Sequence, residues 1–405
     1  MVEAFYREGK QILLLSYTNR AVDEICKTLS VITPEIDFIR IGSELSCDPP
    51  FRSRLIENVL ESCSTRREVH ARIERCRVFV GTVATFSSKT DMFRLKTFDV
   101  AIVDEATQIL EPQLLGLLCA RNVAGNNAIG KFILIGDHKQ LPAVVLQSES
   151  QSEVCEECLQ SIGLYNLKDS LFERLYRTVS ANHSSPTTQR FYDMLCRQGR
   201  MNVEVARFPN HAFYGGLLEA VGLPHQQGEL VLAPGLESDE FADVLVSRVA
   251  FLPSVPEFPS QSAKINHSEA QLTARLAAAV YRQYEASGSG FHSALTLGVI
   301  TPYRSQIALI KREIAALGIP VLNDILVDTV ERFQGSERDV IIYSFCVNRT
   351  YQLKFLANLT EEKGVWIDRK LNVALTRARK QLFMTGVPHL LRQNPIYADL
   401  LDTVL

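Results

Sequence analysis

The sequence predicts an α/β protein made of two doubly wound parallel sheets. Three observations carry this reading. Short apolar runs rich in β-branched residues alternate with amphipathic stretches, the pattern of βαβ units. The alternation stops before a polar stretch at 147–158 and resumes at 249. Polar residues gather directly after the apolar runs, where the strands of an open α/β sheet present their carboxyl ends to a ligand.

The elements follow in order. QILLLS (11–16), DFIRIG (37–42), VFVGTV (78–83), VAIV (100–103) and FILIGD (132–137) read as buried parallel strands. Between the first two, Val22, Ile25, Cys26 and Leu29 fall on one helical face. Residues 43–76 carry no strand signal and read as a helical insertion. QSESQSEVCEEC (147–158) reads as an exposed loop. VAFLPSV (249–255), LTLGVI (295–300), DILVDTV (324–330), DVIIYSF (339–345) and LFMTGV (382–387) supply a second set of strands. The division is expected around 175–190, giving domains of about 1–180 and 181–405.

Composition bounds the rest. At 405 residues and 46% hydrophobic, the chain can bury a core in each domain. A formal net charge of −3 gives no bulk attraction to nucleic acid, so any such site must be a local groove. Nine scattered cysteines offer one close pair, Cys155 and Cys158, with no second pair to complete a zinc site. Reduced thiols and a cytoplasmic protein are expected, with a nuclear location open for a eukaryotic chain. MVEAFYREGK lacks the apolar core of a signal peptide. No apolar run approaches the ~18 residues of a membrane span, so no membrane partner is expected.

The run Val100–Val103 ends in Asp104 and Glu105. Paired acids at a strand end suit Mg²⁺ binding and activation of water beside a nucleotide phosphate. Such a site usually includes a cradle of the form G-x-x-x-x-G-K-[ST]. Gly125 to Phe132, GNNAIGKF, has the spacing but places Phe132 where a hydroxyl must meet Mg²⁺. It also leads into a strand, whereas a phosphate cradle follows a strand and opens a helix. It reads as a turn.

Other strand ends are equally polar. Tyr17-Thr18-Asn19 follows the first run, Gly81-Thr82 the third, and Gly136-Asp137-His138-Lys139-Gln140-Leu141-Pro142 the fifth. In the second half come RQGRMN (197–202), NHSEA (266–270), ITPYRSQ (300–306), DTVERFQGSERDVII (328–342) and RKLNVALTRAR (369–379). Together, in this order, the motifs resemble those of superfamily 1 helicases. The nearest likeness is the 5′-to-3′ branch that includes the nonsense-mediated-decay helicase and the replication helicase-nuclease. The resemblance runs from residue 1 to about 390. It implies two RecA-like domains of the P-loop NTPase type, with ATP and Mg²⁺ as cofactors and single-stranded DNA or RNA as partner. It further implies ATP between the domains and 5′→3′ movement.

The resemblance also implies roles. Asp104 holds Mg²⁺ and Glu105 is the general base, against a reading as helix-capping acids. Asp137 and Gln140 sense the γ-phosphate, against a polar turn before Pro142. Arg377 is the arginine finger and Arg200 its companion, although Gly199 stands where the family has an aromatic and a helix-surface arginine is the alternative. Gln334, Gly335 and Glu337 contact phosphate and ribose, or Glu337 is a solvated loop acid. Arg369 is a further phosphate or structural contact. Thr18, Asn19, Thr82, Thr301 and Thr329 line the strand track, with capping as the alternative for Thr18 and Asn19. Tyr17 and Tyr303 stack on bases or simply pack.

The chain departs from the family at one point. The cradle belongs just before the helix that precedes QILLLS, and here Met1 lies in that helix. The expectation is therefore a motor portion whose first domain is truncated before Met1 and lacks the P-loop, with little ATPase activity of its own. The alternative is a nucleic-acid-binding module that does not hydrolyse ATP.

Overall fold

The computed structural model describes residues 1–32, 35–181, 191–257, 263–362 and 364–404. The chain divides into two compact units. One is Met1–His138 with Pro142–Asp193; the other is Lys139–Leu141 with Met194–Leu405. Much of the expected boundary region, at 182–190, lies outside the described residues.

The first unit is a five-stranded sheet of β1 (Ile12–Ser16), β2 (Phe38–Ile41), β3 (Val78–Thr82), β4 (Phe98–Val103) and β5 (Ile129–Leu134). The spatial order is β2-β3-β1-β4-β5, and every pairing is parallel. Alternate side chains feed separate cores on the two faces. Leu13 and Leu15 of β1 join one, Ile12 and Leu14 the other. Burial on both faces is why β1 and β3 read as unbroken apolar runs. From β1 the chain winds outward to β2 and β3, then crosses β1 to reach β4 and β5. The winding thus reverses between β1 and β4.

The segment 43–76 forms 3₁₀ turns at Glu44–Ser46 and Pro49–Arg54 and helices at Ile56–Leu60 and Arg66–Arg75, as a helical insertion should. The last begins in a capping box between Thr65 and Glu68. Two sequence readings need correction. QSESQSEVCEEC is not simply an exposed loop. It holds short helices at Glu149–Ser152 and Glu157–Gln160, and Ser152 and Val154 are buried because their backbones pair with the following segment. The Leu167 N–H donates to the Ser152 carbonyl at 2.8 Å, and the Val154 N–H to the Tyr165 carbonyl at 3.0 Å. And β5 begins at Ile129, so Gly130 and Lys131 of GNNAIGKF are strand residues, Lys131 opposite Val100.

The second unit opens with a short parallel pair, β6 (Arg197–Gln198) and β7 (Glu219–Ala220). Its main sheet contains β8 (Val249–Pro253), β9 (Leu297–Ile300), β10 (Leu326–Asp328) and β11 (Arg338–Ser344). The antiparallel hairpin β12 (Leu359–Glu362) and β13 (Val365–Asp368) precedes the last sheet strand, β14 (Ala378–Gly386). The order is β10-β9-β11-β14-β8, again wholly parallel, with the reversal between β9 and β11. Ile341 and Tyr343 of β11 enter one core, Val340 and Ile342 the other. The chain is therefore α/β with two parallel-sheet domains of the RecA type. Among the described residues no helix is long and apolar enough to cross a membrane.

One buried charge stands out in the second unit. The helix His267–Ala286 is capped by Asn266, whose side chain accepts from the Glu269 N–H at 2.9 Å. The Glu269 carboxyl turns inward and is fully buried. It accepts from Ser344 Oγ at 2.8 Å, the Cys346 N–H at 2.9 Å and Ser254 Oγ at 3.2 Å, tying together the ends of β8 and β11. Burial outweighs these three bonds and pushes the carboxyl up to about 7. A carboxyl raised in the folded state makes folding most favourable at low pH. That contribution is complete below the unfolded carboxyl value and is lost as pH rises through the folded one. Chemical denaturation across pH should show this unit losing ~3 kcal/mol between about pH 4 and pH 8 from this group. The Glu269→Gln chain should show a flatter curve over that window.

Candidate functional site

The acids follow from the pairing of β1 with β4. Leu15 lies opposite Val103, and the next N–H, that of Asp104, donates to the Leu15 carbonyl at 2.8 Å. Ser16 Oγ, fully buried, donates to the Asp104 carbonyl at 3.4 Å. The acid pair thus sits at the carboxyl end of β4, at the reversal of the sheet, where open α/β sheets bind ligands.

Glu105 has φ 53° and ψ 38°, in the left-handed region. For a residue with a Cβ this costs roughly 1–2 kcal/mol and persists only where the surroundings enforce it. Here they do. Asp104 Oδ1 accepts from the Glu105 N–H at 3.0 Å, and the Ala106 N–H donates to the Ile135 carbonyl at 2.8 Å. Gly136 allows this close approach, because a Cβ there would lie 2.9 Å from Thr107 Cγ2. Gln108 Nε2 then donates to Glu105 Oε2 at 2.7 Å and fixes the carboxylate.

The two acids differ in surroundings. Burial raises the Asp104 carboxyl above the ordinary carboxylate range, and the Glu105 N–H offsets this in part. Among the described residues Asp104 has no ion-pair partner. Asp137 follows Gly136 directly and is half-buried.

Around the same strand ends, Thr18 Oγ1 accepts from the Ala21 N–H at 3.2 Å at the start of the helix Asn19–Ile32. Thr82 caps Val83–Ser88, accepting from the Thr85 N–H at 3.1 Å. Both hydroxyls therefore cap helices. Tyr17 is partly exposed.

In the second unit, Thr301 directly follows β9 and is fully buried, and its Oγ has no hydrogen-bond partner among the described residues. Thr329 follows β10, its N–H donating to Asp328 Oδ1 at 2.8 Å. Tyr303 is half-buried, and its hydroxyl accepts from Gln352 Nε2 at 3.3 Å.

The arginines form a cluster of their own. Arg200 Nε donates to Glu337 Oε2 at 2.7 Å, and Arg200 Nη1 to the Thr376 carbonyl at 3.4 Å. Arg377 is buried, with Nε on the Val373 carbonyl at 3.1 Å and Nη1 on that of Ser336 at 3.5 Å. Lys139–Leu141 partitions with this unit, and Arg377 Nη2 donates to Gln140 Oε1 at 3.1 Å. Arg200 thus pairs with Glu337 and Arg377 with Gln140, and both arginines also donate to Thr376, Arg200 to its carbonyl and Arg377 Nη2 to its Oγ1 at 3.1 Å. Gly335, at φ 71°, and Gln334, whose Nε2 is buried and unpartnered among the described residues, lie in the turn before Glu337. Arg369 opens the helix Arg369–Leu375, its N–H donating to the Asn358 carbonyl at 2.9 Å.

Two participants escaped the sequence reading. Arg379 Nε lies 3.4 Å from Glu337 Oε1, so two arginines flank that acid. Lys370 Nζ lies 3.4 Å from Glu331 Oε1. Arg379 stands in the same LTRAR motif as Arg377, so its basic side chain was a visible signal. Nothing in the sequence marked the pairing of Lys370 with Glu331.

Comparison with known proteins bears on this arrangement. Two family models, both described as AAA domain, match residues 53–148 and 167–389. The mouse DNA replication ATP-dependent helicase/nuclease DNA2 is 29% identical over 412 residues, covering 97% of this chain and 34% of that protein. Its Xenopus laevis counterpart is 30% identical, with 97% and 34% covered. The DNA polymerase alpha-associated DNA helicase A of Saccharomyces cerevisiae is 28% identical over 78% of this chain and 43% of that protein. The chain thus spans about a third of the length of the replication helicase/nucleases it matches. Among solved structures, the Arterivirus nonstructural protein 10 helicase in complex with DNA gives a TM-score of 0.40 at 12% identity, covering 93% of this chain and 55% of that one. With an AAA-domain match over more than half its length and its motifs in family order, this chain belongs to the superfamily 1 helicases.

Proposed function

We propose that this chain is the motor portion of an ATP-dependent translocase or helicase acting on single-stranded DNA or RNA. The observation that carries the reading is the end of β4. A half-buried carboxylate without a cationic partner among the described residues stands beside a glutamate held in a left-handed turn, at the reversal point of a parallel sheet.

The donor set fits Mg²⁺. That ion takes one or two carboxylates together with waters and phosphate oxygens, so Asp104 suffices from this strand. Bound there, Mg²⁺ would neutralise charge on the phosphate oxygens. Glu105, fixed by Gln108, is the group to accept the proton of the attacking water. Gln140 and Asp137 respond to the terminal phosphate. Arg377 and Arg200 supply guanidinium charge to it, in a planar fork that matches phosphate oxygens. Glu337 sets the position of Arg200, and Gln334, Gly335 and Arg369 complete the nucleotide contacts. Thr18, Asn19, Thr82, Thr301, Tyr303 and Thr329 grip the strand. Helix-capping hydroxyls serve this role because a cap leaves the oxygen at a helix N-terminus, where a phosphate also finds N–H donors.

No G-x-x-x-x-G-K-[ST] occurs in the 405 residues, and the nearest match runs into β5. A segment that runs into a strand does not present the N-terminal N–H groups of a helix to a phosphate. On this basis the 405-residue chain should show no strand-stimulated ATP turnover in a phosphate-release assay. A version extended by a strand–GxxGxGK[ST]–helix segment should gain turnover, and Glu105→Gln should then lower it roughly 10²–10⁴-fold. Robust turnover by the unextended chain would count against the need for a cradle. Full turnover by the Gln variant would remove Glu105 from its role.

Strand binding needs no hydrolysis. Fluorescence titration should give a log affinity that falls linearly with log salt, with a slope of about −0.7 per phosphate contacted. A flat salt response would argue against a phosphate-gripping track.

A further inference from the structure

A small cavity of about 40 Å³ lies beyond the carboxyl ends of β9 and β11, where the winding of the second sheet reverses. Its walls include Ile300, Val330, Tyr343 and Leu356, and Thr301 lines it with a hydroxyl that is fully buried and unpartnered among the described residues. A buried hydroxyl without a partner is destabilising and calls for a group that enters from outside. At 40 Å³ the cavity admits something the size of a few waters, such as a phosphate oxygen or the edge of a sugar, and excludes a whole base.

The rim is aromatic. Phe355 lines the cavity and is 65% exposed. Tyr351, 52% exposed, meets it edge to face at 6.5 Å between ring centroids. Neither ring belongs to a core. The charged groups at the rim, Lys370 and Glu331, are paired with one another. The site therefore offers no net charge. It offers an apolar wall, a hydroxyl and an aromatic face, which suits stacking and not ion pairing.

We propose that this is a nucleotide subsite, in which a base of the single strand stacks on the ring of Phe355 while its sugar–phosphate reaches the Thr301 hydroxyl. The subsite rests on the strand-binding reading above and adds the residue that carries a base. Tyr303 is less suited to the task. It is half-buried, hydrogen-bonded to Gln352, and has Lys264 Nζ 6.0 Å from its ring centroid.

The test is anisotropy of a labelled 12-nucleotide strand with the full 405-residue chain, its Phe355→Ala and its Phe355→Tyr variants. Strands carrying a single abasic position, moved along the sequence, are titrated in parallel. Phe355 is exposed, so the Ala variant should keep the fold by circular dichroism. The subsite predicts that Phe355→Ala raises Kd about 5- to 150-fold. Phe355→Tyr should restore binding, and the salt slope should stay unchanged. One abasic position should weaken the wild type but not the Ala variant. If the wild type binds and the Ala variant binds equally well, the subsite is wrong and the motor reading stands. A loss that Tyr does not restore, with abasic sensitivity intact in the Ala variant, would show that Phe355 only supports the fold. No strand binding by the wild type at low salt would overturn both.

Discussion

The structure depends on the parallel pairing of β1 with β4 and its continuation past the strand ends. The Asp104 N–H on the Leu15 carbonyl, the Ile135 N–H on that of Val103 and the Ala106 N–H on that of Ile135, each at 2.8 Å, hold the turn in place. Break that sequence of bonds and Glu105 has no reason to remain left-handed. The turn also depends on Gly136, because a side chain there would collide with Thr107. Rigid strands thus place a conformationally costly residue just past the carboxyl end of β4, the edge at which open α/β sheets bind ligands. Storing strain at a working position is a common use of over-determined backbone.

The second unit solves a parallel problem with different materials. Its reversal point is governed by buried polar groups. Glu269 ties the ends of β8 and β11, and Asn266, Gln306, Asn348 and Gln352 form an amide network that reaches the Tyr303 hydroxyl. A network of this kind specifies one arrangement, because each member left unsatisfied is costly. Arg377 is held likewise, by carbonyls and by Gln140, so its charge is oriented in advance. Preorganised charge is what transition-state stabilisation by an arginine requires.

Most of the architecture was legible in the sequence, for a physical reason. A strand that is buried on both faces favours apolar residues on both, and each of the ten apolar runs overlaps one strand of the two parallel sheets. The errors fall where pairing outranks composition. Gly130 and Lys131 look like a turn, yet the ladder with β4 draws them into β5. NLTEEKGVWID alternates weakly, and the hairpin β12–β13 within it gave no usable signal. QSESQSEVCEEC is polar, yet backbone pairing with 165–167 buries two of its residues. The candidate site residues were nameable because motifs place them at strand ends. Their geometry was not. No pattern predicts a left-handed glutamate, an inward-turned Glu269, or that the exposed aromatic ring at the second reversal point is Phe355.

The proposed role of the end of β4 is that of a metal and water site for nucleotide chemistry. Electron paramagnetic resonance of Mn²⁺, used in place of Mg²⁺, tests it most directly, with ATP and the chain extended by a phosphate cradle. The account predicts a nucleotide-dependent bound signal whose affinity falls at least about tenfold in Asp104→Asn, the typical scale for losing a charged ligand contact. The variant should remain folded. Equal Mn²⁺ binding by the two proteins would contradict the account.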